Sequence, residues 1–354
     1  MEVVFDKKTD CDMIEGLVNL ITPAYNSAGS IHRLLDSVLN QTYPMIKMII
    51  VDDGSTDNTR EVIEKYIPLF VKKGYELVRV YQENAGSSNA INNALKLVDA
   101  EFLLWPDSDD WYKVPDAIEK LVGVLKDSDD EVGIARCRRE FINELTFEVT
   151  RTSSFANYGI PESVFEDAVY LKNGFEWSPG CHIIKTKFLE KFIPNRNIYT
   201  EKEAGQNYQL IIPYIANSKC VSIEDVLFCY LERKDSHCRA SGFEKEKNRV
   251  EAYARTWKNV FDNLLGDLDG NLLDQYKKYG LNWMYNRLLK NDIEYLETNS
   301  FRHHVKECKD LGVPLSKRYM KMGYWTKLFS IKSYFVFSRC LARLRSIVCS
   351  SKKM

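Results

Sequence analysis

Three times before residue 100 the chain runs through one short cycle, an apolar run, a loop of small, acidic or amide residues, and an amphipathic stretch, and a fourth apolar run then ends at residue 105. The apolar runs are Leu17–Thr22 (LVNLIT), Met45–Val51 (MIKMIIV), Tyr75–Tyr81 (YELVRVY) and Phe102–Trp105 (FLLW). Runs of this length, bounded by Pro, Gly, Asn or Asp, predict strands. The stretches between them predict helices. Ile31, Leu34, Leu35 and Val38 share one face of the first, Val62, Ile63, Tyr66 and Ile67 lie on the second, and Ile91, Leu95 and Val98 on the third. Strand and helix in alternation imply an α/β fold, a mainly parallel central sheet with flanking helices on both faces. Ligands of such sheets bind at the C-terminal strand ends, so the residues after each run carry the functional reading.

The fourth run stops at Pro106 and delivers three carboxylates at once, Asp107, Asp109 and Asp110. Carboxylates crowded at a strand end repel one another unless a cation or hydrogen-bond donors offset the charge. Asp107-Ser108-Asp109 therefore reads as a site for Mg²⁺ or a similar hard ion, held by one or two carboxylates and by substrate phosphates. A nucleotide diphosphate is the cargo that suits it. Read structurally, the same residues are an Asp-rich turn capping the helix that begins near Val114. After the first run comes Thr22-Pro23-Ala24-Tyr25-Asn26, where Tyr25 can stack on a base and Asn26 can bond a sugar, or where a turn simply packs a Tyr. After the second, Ser55 or Asp57 is a helix N-cap, whereas the adjacent carboxylates Asp52 and Asp53 exceed what one cap requires. After the third, in Glu83-Asn84-Ala85-Gly86-Ser87-Ser88-Asn89, Gly86 lets backbone approach a ligand and the helix start offers N–H groups to an anion or a hydroxyl. Neither GxGxxG nor GxxxxGK[ST] occurs in that loop, so neither a dinucleotide fold nor a P-loop is supported.

With 354 residues, 45% hydrophobic and 28% charged, the chain can bury one large core or two smaller ones. A formal net charge of -1 provides no global field for nucleic acid. Nine cysteines, an odd number without a CxxC pair, read as reduced thiols of a cytoplasmic protein. The start, MEVVFDKKTDCDM, is too acidic for a signal peptide, and no window approaches the ~20 apolar residues of a spanning helix.

Beyond Asp110 the pattern predicts helices near 114–125 and 204–216, and strands near 132–135, 141–151, 182–184, 219–221 and 226–231. From Phe243 only helical spacing remains, with Asp267-Leu268-Asp269-Gly270 as a turn. The expected organisation is a catalytic domain over 1–240, with a nucleotide-binding half at 17–110 and an acceptor half at 111–240, then a helical region over 241–316 and a tail over 317–354. The tail carries ten Lys or Arg and no Asp or Glu, interleaved with aromatic residues. Such a basic amphipathic segment suits an anionic membrane surface; its structural reading is a helix docked on the protein's own flank.

Taken together, ITPAYN (Ile21–Asn26), VDDGSTDNT (Val51–Thr59), ENAGSSNAIN (Glu83–Asn92) and PDSDD (Pro106–Asp110) resemble glycosyltransferase family 2 and its GT-A fold. The resemblance covers roughly residues 17–235 and, among subgroups, points to bacterial transferases of capsule, lipopolysaccharide and other surface polysaccharides. It implies an inverting, metal-dependent enzyme that moves a hexosyl or N-acetylhexosaminyl group from a nucleotide-sugar donor, usually UDP-linked, to a hydroxyl of a glycan or lipid-linked glycan. Its setting would be the cytoplasmic face of the inner membrane. By the resemblance Pro23, Tyr25, Asn26, Asp52 and Asp53 hold the nucleoside, Asn84, Gly86 and Asn89 face the donor sugar, and Asp107 and Asp109 bracket Mn²⁺ or Mg²⁺ on the diphosphate.

Family members commonly place a Glu-Asp pair, its Asp being the general base, at the start of the helix after the acceptor-binding turn. The matching spot here reads Gly205-Gln206-Asn207-Tyr208, and amides take no proton near neutral pH. Glu203, four residues before Asn207 and on the same face if the helix starts there, is the expected base, with Glu201 second. A second departure is Ile91, where many relatives carry Arg. His237 is a candidate third metal ligand, and His303, His304 and Cys308 lack a fourth ligand. Two rival functions stand beside this one. A sugar-phosphate nucleotidyltransferase needs a Gly-rich, Arg-containing loop after its first strand, which TPAYNSAG lacks; a catalytically impaired nucleotide-sugar-binding protein fits Gln206-Asn207 but not the retained Asp107 and Asp109.

Overall fold

In a computed structural model of the chain, which describes residues 13–203, 205–233, 242–263 and 269–338, all four apolar runs are strands. They are β1 (Ile14–Ala24), β2 (Ile46–Asp52), β3 (Glu76–Tyr81) and β4 (Ala100–Leu104), separated by α1 (Ile31–Leu39), α2 (Thr59–Lys73) and α3 (Ser87–Leu95). β5 (Trp111–Tyr112), α4 (Ala117–Lys126), β6 (Val132–Asn143), β7 (Val149–Thr152) and α5 (Phe165–Tyr170) follow. β8 (His182–Lys185), α6 (Leu189–Phe192), α7 (Asn207–Asn217) and β9 (Lys219–Glu232) complete the sheet-bearing part. The described residues fall into two units, one holding β1 to β9, the other made of 242–261 and 269–338.

The sheet order is β3-β2-β1-β4-β8-β6-β9-β5, with β7 beside β6. Strands β3, β2, β1 and β4 are mutually parallel, as the alternation of strand and helix requires. Past β4 the sheet becomes mixed. β8 is antiparallel to both β4 and β6, β9 runs parallel to β6, and β5 is antiparallel to β9. Two reversals restore the direction, so β6 and β9 end at the same edge as β1, β2, β3 and β4. That edge collects the loops after every one of these strands.

One face of the sheet is buried under α1, α2 and α4, where Ile31, Leu34, Leu35, Ile63, Phe70, Leu121 and Leu125 pack on Val18, Leu20, Met48, Ile50, Phe102 and Leu104. α3 lies on the opposite face against β1 and β2. Burial on both faces explains why these strands read as unbroken apolar runs. β6 is one strand over 132–143, where the sequence predicts two short ones. Arg136, Arg138 and Arg139 interrupt its apolar pattern, and they are accommodated because each finds a hydroxyl, carbonyl, carboxylate or ring beside it. Likewise β9 is continuous over 219–232, its register slipping opposite Cys137 and Arg138.

The second unit contains α8 (Phe243–Asp262), α9 (Gly270–Glu294), α10 (Thr298–Asp310) and α11 (Lys317–Trp325), and residues 331–338 are helical too. Asp269 caps α9 by accepting from the N–H groups of Asn271 and Leu272 at 2.8 and 3.1 Å. Val250, Tyr285, Leu288, Leu289, Phe301, Val305 and Cys308 form its core together with Met322 and Ile331. The first part of the basic tail is thus built into this unit. His304 pairs with buried Asp292 at 2.7 Å and has a structural partner, not a metal. No helix among the described residues is long and apolar enough to cross a membrane. The described cysteines Cys137, Cys181, Cys220, Cys229 and Cys308 are free and buried.

Candidate active site

The turn that follows β4 is fastened to the loop after β1. Thr22 Oγ1 donates to the Pro106 carbonyl at 3.0 Å, and the hydroxyls of Ser27 and Ser108 lie 2.8 Å apart. The Asp110 N–H closes the turn on the Asp107 carbonyl at 3.3 Å. Asp110 is buried and Asp107 is half-buried. Burial first, and the Asp109 carboxylate second, push Asp107 up to about 7, against the opposing pull of Arg233 and of the Gln206 amide. Burial and the charges of Asp109 and Asp107 hold Asp110 well above the usual carboxylate range. Its Oδ1 accepts from the Leu231 N–H at 2.9 Å, while Oδ2 is buried with no partner among the described residues.

Asp109 is half-buried as well. Arg233 Nε lies 3.1 Å from its Oδ2 without aiming its N–H there, so the contact is one of charge. Arg33 is a further cation whose field reaches Asp109 and Asp110, its guanidinium 5.7 Å from the Trp111 ring and 5.5 Å from that of Phe147, and the field of Arg139 reaches Asp110 as well. Sequence reasoning missed these arginines. Arg233 follows β9, which pairs with β5, and no local pattern signals a contact made by strand pairing over that span of chain.

Asp107 and Asp109 fit a divalent hard cation. The donors are carboxylate oxygens, two protein ligands suffice when a diphosphate and water supply the rest, and the neighbouring Asp110 Oδ2 is buried with no partner among the described residues. Among the described residues no three His, Cys, Asp or Glu side chains gather around a common point, so no third protein ligand joins them. His237 lies outside the described residues.

The donor-side residues are held by one another. Asn26 adopts a left-handed backbone with φ 48° and accepts from the Thr56 N–H at 2.9 Å, while its own N–H donates to Ser55 Oγ at 2.9 Å. Tyr25 beside it is 47% exposed, which leaves its ring free to stack, whereas Pro23 is locked in β1 opposite Val51. Asp52 Oδ1 accepts from the Ser55 N–H at 2.9 Å. Asp57 accepts from the N–H groups of Thr59 and Ala28, at 3.0 and 3.1 Å, and so ties α2 to the first loop.

Asp53 is committed to the loop after β3. It accepts from Gln82 Nε2 at 2.7 Å and from the N–H groups of Ala85 and Gly86 at 2.8 and 2.9 Å. Three bonds within the protein leave it little capacity for a nucleoside. Gly86, with φ 91°, is required for a reason the sequence did not disclose: a Cβ there would sit 3.0 Å from the carbonyl oxygen of Lys202, so what approaches it is backbone of this chain. Asn84 is exposed, and the Asn89 N–H bonds the Gly86 carbonyl at 3.1 Å.

Gln206 is the link between the two halves. Its Nε2 donates to Asp107 Oδ1 at 3.0 Å and its Oε1 accepts from Ser87 Oγ at 2.9 Å. α7 starts at Asn207, not at 203, because Gln206 is tethered on both sides as its N-cap residue. Glu203 therefore sits in the turn before the helix, and the shared helical face that pairs it with Asn207 does not exist. Glu201 accepts from Tyr199 OH at 3.2 Å, and its carbonyl accepts from Ser88 Oγ at 3.4 Å. Asn207 Oδ1 is buried without a partner among the described residues.

The family model described as glycosyl transferase family 2 matches residues 19–192. This segment belongs to glycosyltransferase family 2. TuaG of Bacillus subtilis, provisionally named a teichuronic acid biosynthesis glycosyltransferase, is 41% identical over 106 residues, 29% of this chain and 40% of that one. S. aureus TarS 1–349, solved with UDP-GlcNAc, superposes with TM-score 0.56 at 19% identity over 84% of this chain and 82% of its own. The mannosyltransferase PcManGT of Pyrobaculum calidifontis, solved with GDP-Man and Mn²⁺, gives TM-score 0.52 at 16% identity over 90% of this chain and 88% of its own. These likenesses identify the fold as GT-A. The chain spans 38% or less of the length of the first curated relatives it matches.

The packing of the loops makes Gly54 a sensitive point. Its φ is +75°, and a Cβ would lie 2.8 Å from the backbone nitrogen of Asn84. Gly54→Ala is expected to destabilise the protein by about 1–3 kcal/mol in denaturant titration and to lower its melting temperature, since it pries apart the loops after β2 and β3. Wild-type values for both would show that this junction yields without cost.

Proposed function

We propose that the chain is an inverting glycosyltransferase that moves a sugar from a nucleotide diphosphate, UDP in particular, to a hydroxyl of a growing surface glycan. The observation that carries this reading is the half-buried Asp107 beside Asp109 after β4, fixed by Gln206 at the edge where Tyr25 and Asp52 also lie. The UDP-GlcNAc of TarS, the GDP-Man and Mn²⁺ of PcManGT and the name of TuaG support donor class, metal and type of product. In this reading Tyr25 stacks on the base and Asp52, with Asn26 holding the loop, bonds the nucleoside. Asp53 acts indirectly by shaping the segment Asn84 to Asn89 that faces the donor sugar.

Asp107 and Asp109 would hold Mn²⁺ or Mg²⁺, which supplies positive charge to the leaving diphosphate. Gln206 keeps Asp107 aimed and, being an amide, neither gives nor takes a proton. The bond between the anomeric carbon and the diphosphate oxygen breaks as the acceptor oxygen bonds to the opposite face of that carbon, and the acceptor's proton passes to a carboxylate. Glu203 is our choice for that base. Glu201 is turned toward Tyr199, and Asn207 can accept a hydrogen bond from the acceptor hydroxyl without taking its proton.

Asp109→Asn keeps size and removes charge, and should lower donor turnover by about 100-fold or more without changing the fold. Full activity in excess EDTA, or undiminished turnover in the variant, would refute the metal assignment. Glu203→Gln should cut sugar transfer by about 100-fold or more while UDP binding, followed by calorimetry, is unchanged. Normal transfer in this variant would move the base elsewhere, and no transfer by the wild type to any acceptor would favour a binding protein.

We also propose that the second unit meets the cytoplasmic face of an anionic membrane. Met322 and Ile331 face its core, but Tyr324, Leu328, Phe329, Val336 and Phe337 are exposed beside the exposed Lys321, Lys327 and Lys332. Each surface-proximal Lys contributes about 1 kcal/mol on anionic lipid. Because removal of the tail would open the core, point substitutions are the proper test. The protein should sediment with phosphatidylglycerol vesicles at low salt and not with phosphatidylcholine vesicles, and Leu328→Asp with Lys321→Glu and Lys327→Glu should abolish this. A wild-type protein that ignores anionic vesicles rules the idea out.

A further inference from the structure

Pairing across the sheet places four polar or aromatic residues in one row. Arg136 of β6 is opposite both His182 of β8 and Ser222 of β9, and Trp105 continues β4 at the level of His182, whose neighbour Ile183 pairs with Leu104. Directly opposed residues point to the same face of a sheet. The contacts agree. Trp105 and His182 stack with ring centroids 6.3 Å apart, and Arg136 Nε donates to Ser222 Oγ at 2.8 Å. Phe175 lies 6.2 Å from the His182 ring and 4.9 Å from the Arg136 guanidinium, and Phe155 covers that guanidinium at 4.0 Å.

Three members of this row carry a buried nitrogen with no partner among the described residues: Trp105 Nε1, His182 Nε2 and Arg136 Nη1. His182 Nδ1 faces the Ser178 carbonyl at 2.9 Å and must donate to it, so Nε2 is a lone-pair acceptor on a neutral ring. Arg136 is the sharper anomaly. It is 2% exposed, and no Asp or Glu among the described residues pairs with it. A guanidinium withdrawn from water without a counter-ion is costly, and rings above and below it offset only part of that cost. Nearby, Glu176 is shared by Arg139 and Arg151, each at 2.6 Å, so it neutralises neither in full.

A chain of rings connects this row to the catalytic turn. Phe175 touches Trp177 with centroids 5.0 Å apart, Trp177 touches Tyr208 at 6.0 Å, and Tyr208 follows Asn207 and Gln206, the partner of Asp107. Aromatic faces in series suit sugar rings, and the row at their end offers two N–H donors and one acceptor.

We propose that Trp105, Arg136 and His182 form an acceptor subsite for an acidic glycan unit, Arg136 and Trp105 donating to a phosphodiester or uronate carboxylate and His182 accepting from an adjacent hydroxyl. Phe155, half-buried on the segment after β7, is the side chain that moves aside on entry. The proposal rests on the glycosyltransferase reading for its site, and its test separates the two.

The probes are glycerol 3-phosphate and glucuronate, with glycerol and glucose as neutral counterparts, titrated calorimetrically into the full chain saturated with UDP and Mn²⁺. At least one anion should bind, its neutral counterpart about tenfold or more weaker, and which anion prevails tells phosphate from carboxylate. Arg136→Met should weaken the anion about tenfold or more with UDP affinity unchanged. Should that variant fail to fold, Arg136→Lys keeps the charge, loses the fork, and should still weaken binding severalfold. Absence of binding by both anions to the UDP-saturated wild type, or wild-type affinity in the variant that folds, overturns the subsite. Failure of UDP to bind instead defeats the donor reading.

Discussion

Three carboxyl groups crowded together govern the end of β4. Asp110 is buried, Asp107 is half-buried, and Asp109 lies close enough to raise both. A fold keeps such an arrangement only by surrounding it with donors and cations brought from elsewhere. Gln206 comes from the start of α7, Arg233 from the end of β9, the Leu231 N–H from β9 itself and Arg33 from α1. The reversal of β8 and the parallel return of β9 deliver these groups to the edge that the first four strands define. The mixed half of the sheet thus supplies the donors and cations that reach the acid turn, Asp110 Oδ2 alone of these oxygens being buried without a partner among the described residues.

The parallel half was legible because its physics is local. Strands buried on two faces must be apolar throughout, and the helices between them must turn one apolar stripe inward, so LVNLIT, MIKMIIV and FLLW declare themselves. Loops at their ends declare Asp52, Asp107 and Asp109 for the same reason. What stayed hidden depends on pairing. β6 seemed to break at Arg136, Arg138 and Arg139, since buried guanidinium groups are improbable until the rings and hydroxyls that receive them are known. Roles within the site were hidden in the same way. Asp53 reads as a ligand for a nucleoside in VDDGS, and the structure adds that it holds Gln82, Ala85 and Gly86; Gly86 reads as room for a ligand, and the structure adds that Lys202 packs against it.

The placement of α7 shows how a side chain can set a helix boundary. Helical spacing extends back to 204, yet Gln206 is bonded to Ser87 and Asp107 on separate segments, and the helix begins after it. An amide does this without adding to the charge. A carboxylate at 206 would place a fourth acid against Asp107 and raise the demand for a cation, whereas glutamine donates to the acid it meets. The departure from the family pattern at 206 and 207 is therefore chemically consistent with its surroundings.

The segment from Lys317 has two faces with different duties. Met322, Gly323 and Ile331 are buried, Gly323 so closely that a Cβ would lie 3.0 Å from Val305, while Leu328 on the other side is 82% exposed. A tether linked through a flexible chain samples many orientations and keeps its grip when the domain behind it melts. A surface whose back is part of a hydrophobic core does neither. Whatever this patch touches meets a face of fixed shape and angle within its unit, and loses that face as soon as the core around Phe301 and Leu288 comes apart. For a partner held by this patch, attachment and folding would be one equilibrium, and heat or denaturant that melts the unit would also end the contact.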